Sequence, residues 1–466
     1  MLSHRLFFQR FHSAPLYKKT ENKVCPATML PRLPNKRRNT MQAYLAIAIL
    51  VATLVLFATE LFKPSVTAIS ASLAMCILGI TKPADVTAGF SNTVTLFCFG
   101  IAVVGSALTE TGCAAYLGKK LMSVFRFGEK GTLLILMALA AIFSMFLSNT
   151  SVVVIFMSIA AAMAASSNGK FKKKNLYMGI GVASVAGGGC TLIGSTTQLS
   201  INALLPDYGV EQMGMWTLFA PGIGVVVVML LWYAFFGYKM QLKQFDFPDP
   251  DEVATTNAPA ELKEGNPKDI RMWLPLVILV GCIALTIIGW QNIAIVGLLG
   301  AMLVCMCGSI SVKRMWETTD WNTLGVIAGG VGFASGVKAS GAADMIAGFC
   351  IRLLGDTSPA ILYLAVFVVL ATIMTNIMTN IGTALILTPI ALTIASTLGF
   401  NAMPFVVGVV WGANMPYSTP IGASVITMTM QGGYRFKDYT KINIVWNALA
   451  CVVVIVCTSI FLPLVG

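Results

Sequence analysis

The chain has 466 residues, of which 57% are hydrophobic and only 11% charged. Soluble domains carry about a quarter charged residues, so this balance excludes an ordinary water-soluble globule and points to lipid. The net charge of +12 does not indicate nucleic-acid binding, because Arg5, Arg10, Lys18, Lys19, Lys23, Arg32, Lys36, Arg37 and Arg38 place most of it in residues 1–40, against Glu21 alone.

That tail, residues 1–40, is expected to lie outside the fold. Three readings are open: a start site set too early, with Met41 or Met29 the true one; a basic targeting peptide; or an extra feature that alters the count of crossings. Residues 41–62 and 65–80 are then apolar runs near the roughly 20-residue length that spans a bilayer. A Gly-rich span follows and ends in Glu110-Thr111-Gly112. The next apolar stretch is interrupted at Ser148-Asn149-Thr150, a later one at Gly194-Ser195-Thr196-Thr197-Gln198, and a plain span closes the set at 238. Residues 239–271, with Asp246, Pro248, Asp249, Pro250, Asp251 and Glu252, read as a cytoplasmic polar linker. The second set repeats the order: runs at 273–290 and 292–308, a turn at Ala339-Ser340-Gly341, interruptions at Thr379-Asn380-Ile381 and Ser418-Thr419-Pro420-Ile421-Gly422, and a final span at 442–465.

The pairing predicts two repeats, 41–238 and 272–466. Asn149 and Asn380 are 231 residues apart, Gly194 and Ser418 are 224 apart, and Ile159-Ala160 matches Ile390-Ala391. If each Asn-centred stretch is a re-entrant hairpin, each half crosses five times, and an odd number inverts the second half. Loop charge agrees. One side receives Lys63, Lys119, Lys120, Arg126, Lys130, Lys170, Lys172, Lys173, Lys174, Lys313, Arg314, Arg435, Lys437 and Lys441; the other receives Lys82, Lys338 and Arg352. The first side is cytoplasmic, and the expected home is the inner (plasma) membrane, crossed many times.

Broken helices are tolerated in lipid only where they face protein or a watery cavity. Four breaks at matching positions therefore mark a central site, where free carbonyls hold cations and helix N-termini favour anions. Ser144 and Ser148 precede Asn149 by five residues and one; Thr375 and Thr379 precede Asn380 identically. Such neutral oxygens suit a weakly held monovalent cation such as sodium. Glu60, Glu110, Lys338 and Asp344 fall near span ends, so no proton relay crosses the midplane, which disfavours an antiporter. The eleven cysteines are scattered, and His4 and His12 lie in the tail, so metal-ligand spacing and the convergent groups of a membrane enzyme are both missing. Matched hairpins and breaks suggest an occludable site, which argues against a channel or receptor.

The paired motifs Ser148-Asn149-Thr150 and Thr379-Asn380, each followed by a Gly/Thr/Pro-rich break, resemble the divalent anion–sodium symporter family, within the ion transporter superfamily. The resemblance covers the chain after the tail. It implies an all-α elevator-type transporter: a homodimer in lipid, with a fixed scaffold and a moving domain built from hairpins and broken helices. It places sodium on Ser144, Ser148, Asn149 and Gly194, and on Thr375, Thr379, Asn380 and Ser418. It places the anion against Asn149, Thr150, Ser195, Thr379, Asn380, Thr419 and Pro420. The implied function is sodium-coupled transport of succinate, malate or citrate, with no cofactor beyond the coupling ion. The alternatives are dicarboxylate exchange without sodium and carriage of another anion such as sulfate. Ile381 departs from the family pattern, as do Ser195-Thr196-Thr197-Gln198 and Thr419-Pro420-Ile421-Gly422, and these changes bear on which anion fits.

Overall fold

The computed structural model describes residues 35–123, 128–167, 170–249 and 265–465, so most of the basic tail and residues 250–264 of the linker lie outside the described residues. Among the described residues every regular element is helical, apart from one isolated bridge between Phe400 and Val465. The opening pair is α1 (Asn35–Thr59) and α2 (Pro64–Ile77). The first of these begins six residues ahead of the expected position 41. A short α3 (Pro83–Ala88) leads into α4 (Thr93–Glu110) and α5 (Cys113–Ser123). Then come α6 (Glu129–Ser144), α7 (Asn149–Ser166), α8 (Lys173–Gly188), α9 (Thr196–Asn202), α10 (Phe219–Trp232) and α11 (Tyr238–Gln244). After the linker the order recurs: α12 (Ile270–Ile288), α13 (Ile293–Met306), α14 (Val312–Thr318), α15 (Trp321–Ala339) and α16 (Ala342–Leu354). The chain ends with α17 (Ala360–Thr375), α18 (Asn380–Leu398), α19 (Ala402–Ala413), α20 (Ser424–Met428) and α21 (Phe436–Phe461).

Local chemistry sets these boundaries. Asn92, Asp269, Asn292, Asp320 and Asn401 each accept a backbone N–H at a helix start, which satisfies one of the amides a first turn leaves free. The expected turns after α4 and α15 are alike in detail. Gly112 and Gly341 both take φ +75°, a left-handed conformation that an L side chain resists.

Six described helical stretches are long and apolar enough to cross a membrane: Thr40–Thr59, Pro83–Glu110, Phe219–Gln244, Ile270–Ile288, Asn380–Leu398 and Phe436–Phe461. They differ in surroundings. Only 22% of the Ile270–Ile288 window is buried within the protein, whereas 78% of the Asn380–Leu398 window is, so one faces outward and the other is packed inside.

The two halves interleave through glycine. A Cβ on Gly100 of α4 would lie 2.1 Å from the Gly297 carbonyl carbon of α13, and one on Gly329 of α15 would lie 2.6 Å from the Ile69 nitrogen of α2. Backbones this close are how helices gain packing where lipid supplies no hydrophobic drive.

Polar contacts gather the loops into two sets. Glu110 pairs with Arg314; Glu129 accepts from the Lys172 amide at 2.7 Å and the Tyr238 hydroxyl at 2.7 Å; the Tyr434 hydroxyl donates to Lys174 O at 2.6 Å. At the other set Lys338 donates to Asp207 O, and the Asn401 amide donates to Leu464 O at 3.0 Å. Each of these contacts joins loops that the count of crossings expects on one side.

The linker's described ends attach to different helices. Asp249 accepts from the Lys173 and Lys174 amides, both at 3.0 Å, at the start of α8. The buried Lys174 ammonium donates to Phe245 O and Phe247 O. At the other described end, a Cβ added to Gly265 would lie 2.4 Å from Met272 Sδ and 2.9 Å from Thr111 O, and the Trp273 indole donates to Pro267 O at 3.1 Å. Replacing Asp249 by Ala removes a charged cap from α8 and is expected to cost about 1 kcal/mol, read as a lowered thermal midpoint of the purified protein.

Candidate functional site

Each half carries two helix arms joined by a short turn. In the first, α6 ends at Ser144 and α7 starts at Asn149; in the second, α17 ends at Thr375 and α18 starts at Asn380. The N-caps are Ser148 and Thr379, whose hydroxyls accept from the Ser151 and Gly382 amides, both at 3.3 Å. The first amides of α7 and α18 are left without intrahelical partners.

Behind each tip lies a knot of oxygens. The Ser144 hydroxyl donates to Asn149 Oδ1 at 2.6 Å, and the Ser184 hydroxyl lies 3.1 Å from it and donates to Asn149 O at 3.0 Å. Gly188 O and Ser144 O close over Gly194, where an added Cβ would sit 2.5 and 2.7 Å from them. In the second half the Thr375 hydroxyl has one proton and gives it to Ala413 O at 2.6 Å. The Asn380 amide nitrogen then shares its two protons among Thr375 Oγ1 at 2.7 Å, Gly422 O at 3.0 Å and Ala413 O at 3.3 Å. Thr375 Oγ1, Ala413 O and Gly422 O thus gather around the Asn380 amide, and neutral oxygens of this kind are what a small monovalent cation accepts.

The breaks position these carbonyls. α8 stops at Gly188 and α9 resumes at Thr196; α19 stops at Ala413 and α20 resumes at Ser424. Each break is clasped to its hairpin turn by a threonine: Thr191 Oγ1 donates to Met145 O, and Thr419 Oγ1 donates to Asn376 O at 2.6 Å. Asn376 adds two bonds, accepting from the Ser418 amide at 2.9 Å and donating to Met415 O at 3.1 Å.

A cavity of about 580 Å³ opens in front of the tips. Ser148, Asn149, Thr150, Thr379, Asn380 and Ile381 line it, with Ser195, Thr196 and Thr197 from the first break and Ala423, Ser424 and Val425 from the second. Across from them stand Ser106 of α4 and Thr318, Asp320, Asn322 and Thr323 around the start of α15. Among the described residues no Lys, Arg or His lines this cavity, and Asp320 is its one ionisable carboxylate.

The residues singled out in the sequence fall into three places. Ser144, Asn149, Gly194, Thr375 and Asn380 belong to the oxygen knots. Ser148, Thr150, Ser195 and Thr379 line the cavity in front of them. Ser418, Thr419 and Pro420 lie behind: Ser418 Oγ accepts from the Asn447 amide at 2.6 Å, and Pro420 O accepts from Thr427. The place opposite Gly194 is taken instead by Gly422, where a Cβ would meet Thr375 O at 2.2 Å. Ser184, Gly188, Ala413, Gly422 and Asp320 were not singled out by the sequence. The glycines were detectable as glycines at the edge of a break, while Gly188 O and Ala413 O act through backbone and leave no side-chain signal.

The family model described as "Citrate transporter" (CitMHS) matches residues 54–292 and 283–465. An uncharacterised transporter of Haemophilus influenzae is 25% identical over 438 residues, covering 88% of this chain and 89% of that protein. The sodium-dependent dicarboxylate transporter SdcS of Staphylococcus saprophyticus is 21% identical over 453 residues, covering 90% and 86%. The solved structure of the YdaH transporter of Alcanivorax borkumensis has a TM-score of 0.60 at 12% identity, over 91% of this chain and 98% of that one. MtrF of Neisseria gonorrhoeae, described among antimetabolite efflux pumps, has a TM-score of 0.57 at 12% identity, over 93% and 96%. At such identity these two speak for the fold alone. The expected all-helical membrane architecture is borne out, as is the resemblance to a family of di- and tricarboxylate carriers, and the relatives are transporters, not enzymes. The chain belongs to the citrate transporter family.

Proposed function

We propose that this protein carries di- or tricarboxylate anions of the succinate, malate and citrate class across the plasma membrane, coupled to sodium. The observation that carries the reading is the arrangement of both hairpin tips: each faces one cavity, and each is backed by an oxygen knot. In this reading sodium sits at the two knots, and the anion sits in the cavity against the first amides of α7 and α18.

Magnitudes favour coupling. A helix N-terminus contributes about 0.3–1 kcal/mol to a nearby anion. A sodium about 5 Å from a carboxylate contributes about 3 kcal/mol at an effective dielectric near 20. With no Lys, Arg or His lining the cavity, the cations supply most of the attraction.

The recurring element order and the two sets of loops support an inverted pair of repeats. An elevator-type motion, as the resemblance implies, is part of this reading; the linker's Asp249 end is bonded to the start of α8, while its Gly265 end leads into α12 and lies beside the end of α4. A homodimer in the bilayer, as the resemblance implies, completes the proposal.

Purified protein in liposomes is expected to take up labelled succinate or citrate only under an inward sodium gradient. Uptake that ignores sodium and requires internal dicarboxylate would replace symport by exchange. The anion's identity is expected to depend on the unlike tips, Thr150 facing the cavity from one half and Ile381 from the other. Ile381→Thr adds a hydroxyl donor and should change the citrate-to-succinate ratio of kcat/KM by about tenfold, because one well-placed hydrogen bond is worth roughly 1 kcal/mol or more.

A further inference from the structure

Two buried amides join the halves directly. Gln198 on α9 is 0% exposed and Asn414, at the end of α19, is 1% exposed. Both protons of the Gln198 amide are used: Nε2 donates to Gly188 O and to Thr191 O, each at 2.8 Å. Its Oε1 accepts from Asn414 Nδ2 at 2.9 Å. Asn414 Oδ1 in turn accepts from the Ser195 hydroxyl at 3.2 Å, and Ser195 lines the cavity.

The chain of bonds therefore begins at a carbonyl of the first oxygen knot and ends at a hydroxyl facing the cavity. It has no counterpart in the second half. Ser195 and Ala423 occupy matching N-caps, so the position matching Gln198 is Ile426, an apolar side chain that is also 0% exposed. A packing role alone would be served as well by the apolar residue the other half uses. An amide with every hydrogen-bonding atom satisfied instead fixes where Gly188 O points, and ties that direction to Asn414 and Ser195.

We propose that Gln198 is a positioning residue that couples the first cation site to the anion cavity through Asn414. The inference rests on the sodium-coupled reading above. A cation drawing Gly188 O inward pulls on the Gln198 amide, and Asn414 passes the shift to Ser195. An anion bound against Ser195 acts on the same pair in reverse, as linkage between two sites requires.

The test is thermal unfolding of the purified full chain against sodium chloride, with choline chloride holding ionic strength constant, with and without citrate or succinate. In the wild type, sodium raises the melting temperature, and the anion lowers the sodium concentration at half effect. Gln198→Leu is expected to raise that sodium midpoint about tenfold and to remove its dependence on the anion. Gln198→Glu keeps the size and the acceptor but loses both donors, so it should show the same defect if the leucine variant does not fold. The exchange Gln198→Asn with Asn414→Gln keeps the summed length of the pair and should restore part of the coupling. Variants that melt lower in choline yet keep the wild-type sodium midpoint and its anion dependence assign Gln198 to packing and overturn the proposal. A wild type indifferent to sodium overturns the sodium-coupled reading, and this inference with it.

Discussion

Uptake is expected to fall about a hundredfold or more when Asn149 or Asn380 is replaced by alanine. Each asparagine is shared by an oxygen knot and the cavity. Asn149 Oδ1 takes the Ser144 proton at 2.6 Å, and the Asn380 amide bridges Thr375, Ala413 and Gly422. Truncation of Asn149 removes an oxygen from the first knot, and truncation of Asn380 removes the amide that holds the oxygens of the second together. A loss of about 3 kcal/mol in the transporting state corresponds to somewhat more than a hundredfold in rate. Protein yield and melting temperature should change far less, because both residues sit at a cavity wall and are only half-buried. Initial rates of labelled anion uptake in liposomes read the first effect, and melting curves the second. Uptake near wild type in either variant removes that residue from the site.

Gly188→Ala and Gly422→Ala are expected to lose transport for different reasons. An added Cβ on Gly188 would sit 2.1 Å from Asn149 Oδ1, the free end of a side chain that can rotate away. The fold should survive at a cost of about 1 kcal/mol, while the displaced amide leaves the first knot incomplete. On Gly422 the same methyl meets Thr375 O at 2.2 Å, and a backbone carbonyl cannot step aside. That variant should lose roughly 1–3 kcal/mol of stability along with its activity. Wild-type uptake by a well-folded Gly188→Ala protein would show that the first oxygen cluster is not used.

The sequence carried the membrane class, the order of elements and the hydroxyl–Asn pattern, because these depend on side-chain type at fixed spacing. Ser144–Asn149 and Thr375–Asn380 are each five residues apart across a tight turn, and each pair meets within 2.7 Å. The second break was harder to read. Its matched helices are separated by ten residues, from 414 to 423, where the first break has seven, from 189 to 195. Matching by small polar character therefore set Gly194 against Ser418, whereas the geometry sets it against Gly422. Thr419, which the resemblance sets against the anion, matches Thr191 in the geometry, and both threonines hold a hairpin turn. Asp320 was hidden for another reason: it reaches the cavity by capping α15, far from every Asn motif in the chain.

The cavity's lack of a fixed positive charge has its main consequence at release. An arginine grips a carboxylate in every conformation, and unloading must then break a bidentate pair. In the sodium-coupled reading proposed above, a wall of amides, hydroxyls and helix ends holds an anion only as long as mobile cations stand behind it. In that reading, once the cations leave, Asp320 is the one carboxylate among the described lining residues, and it would repel the cargo. Residence time would then be set by how long the ions stay, and the compartment poorer in them would be the one where the anion is let go.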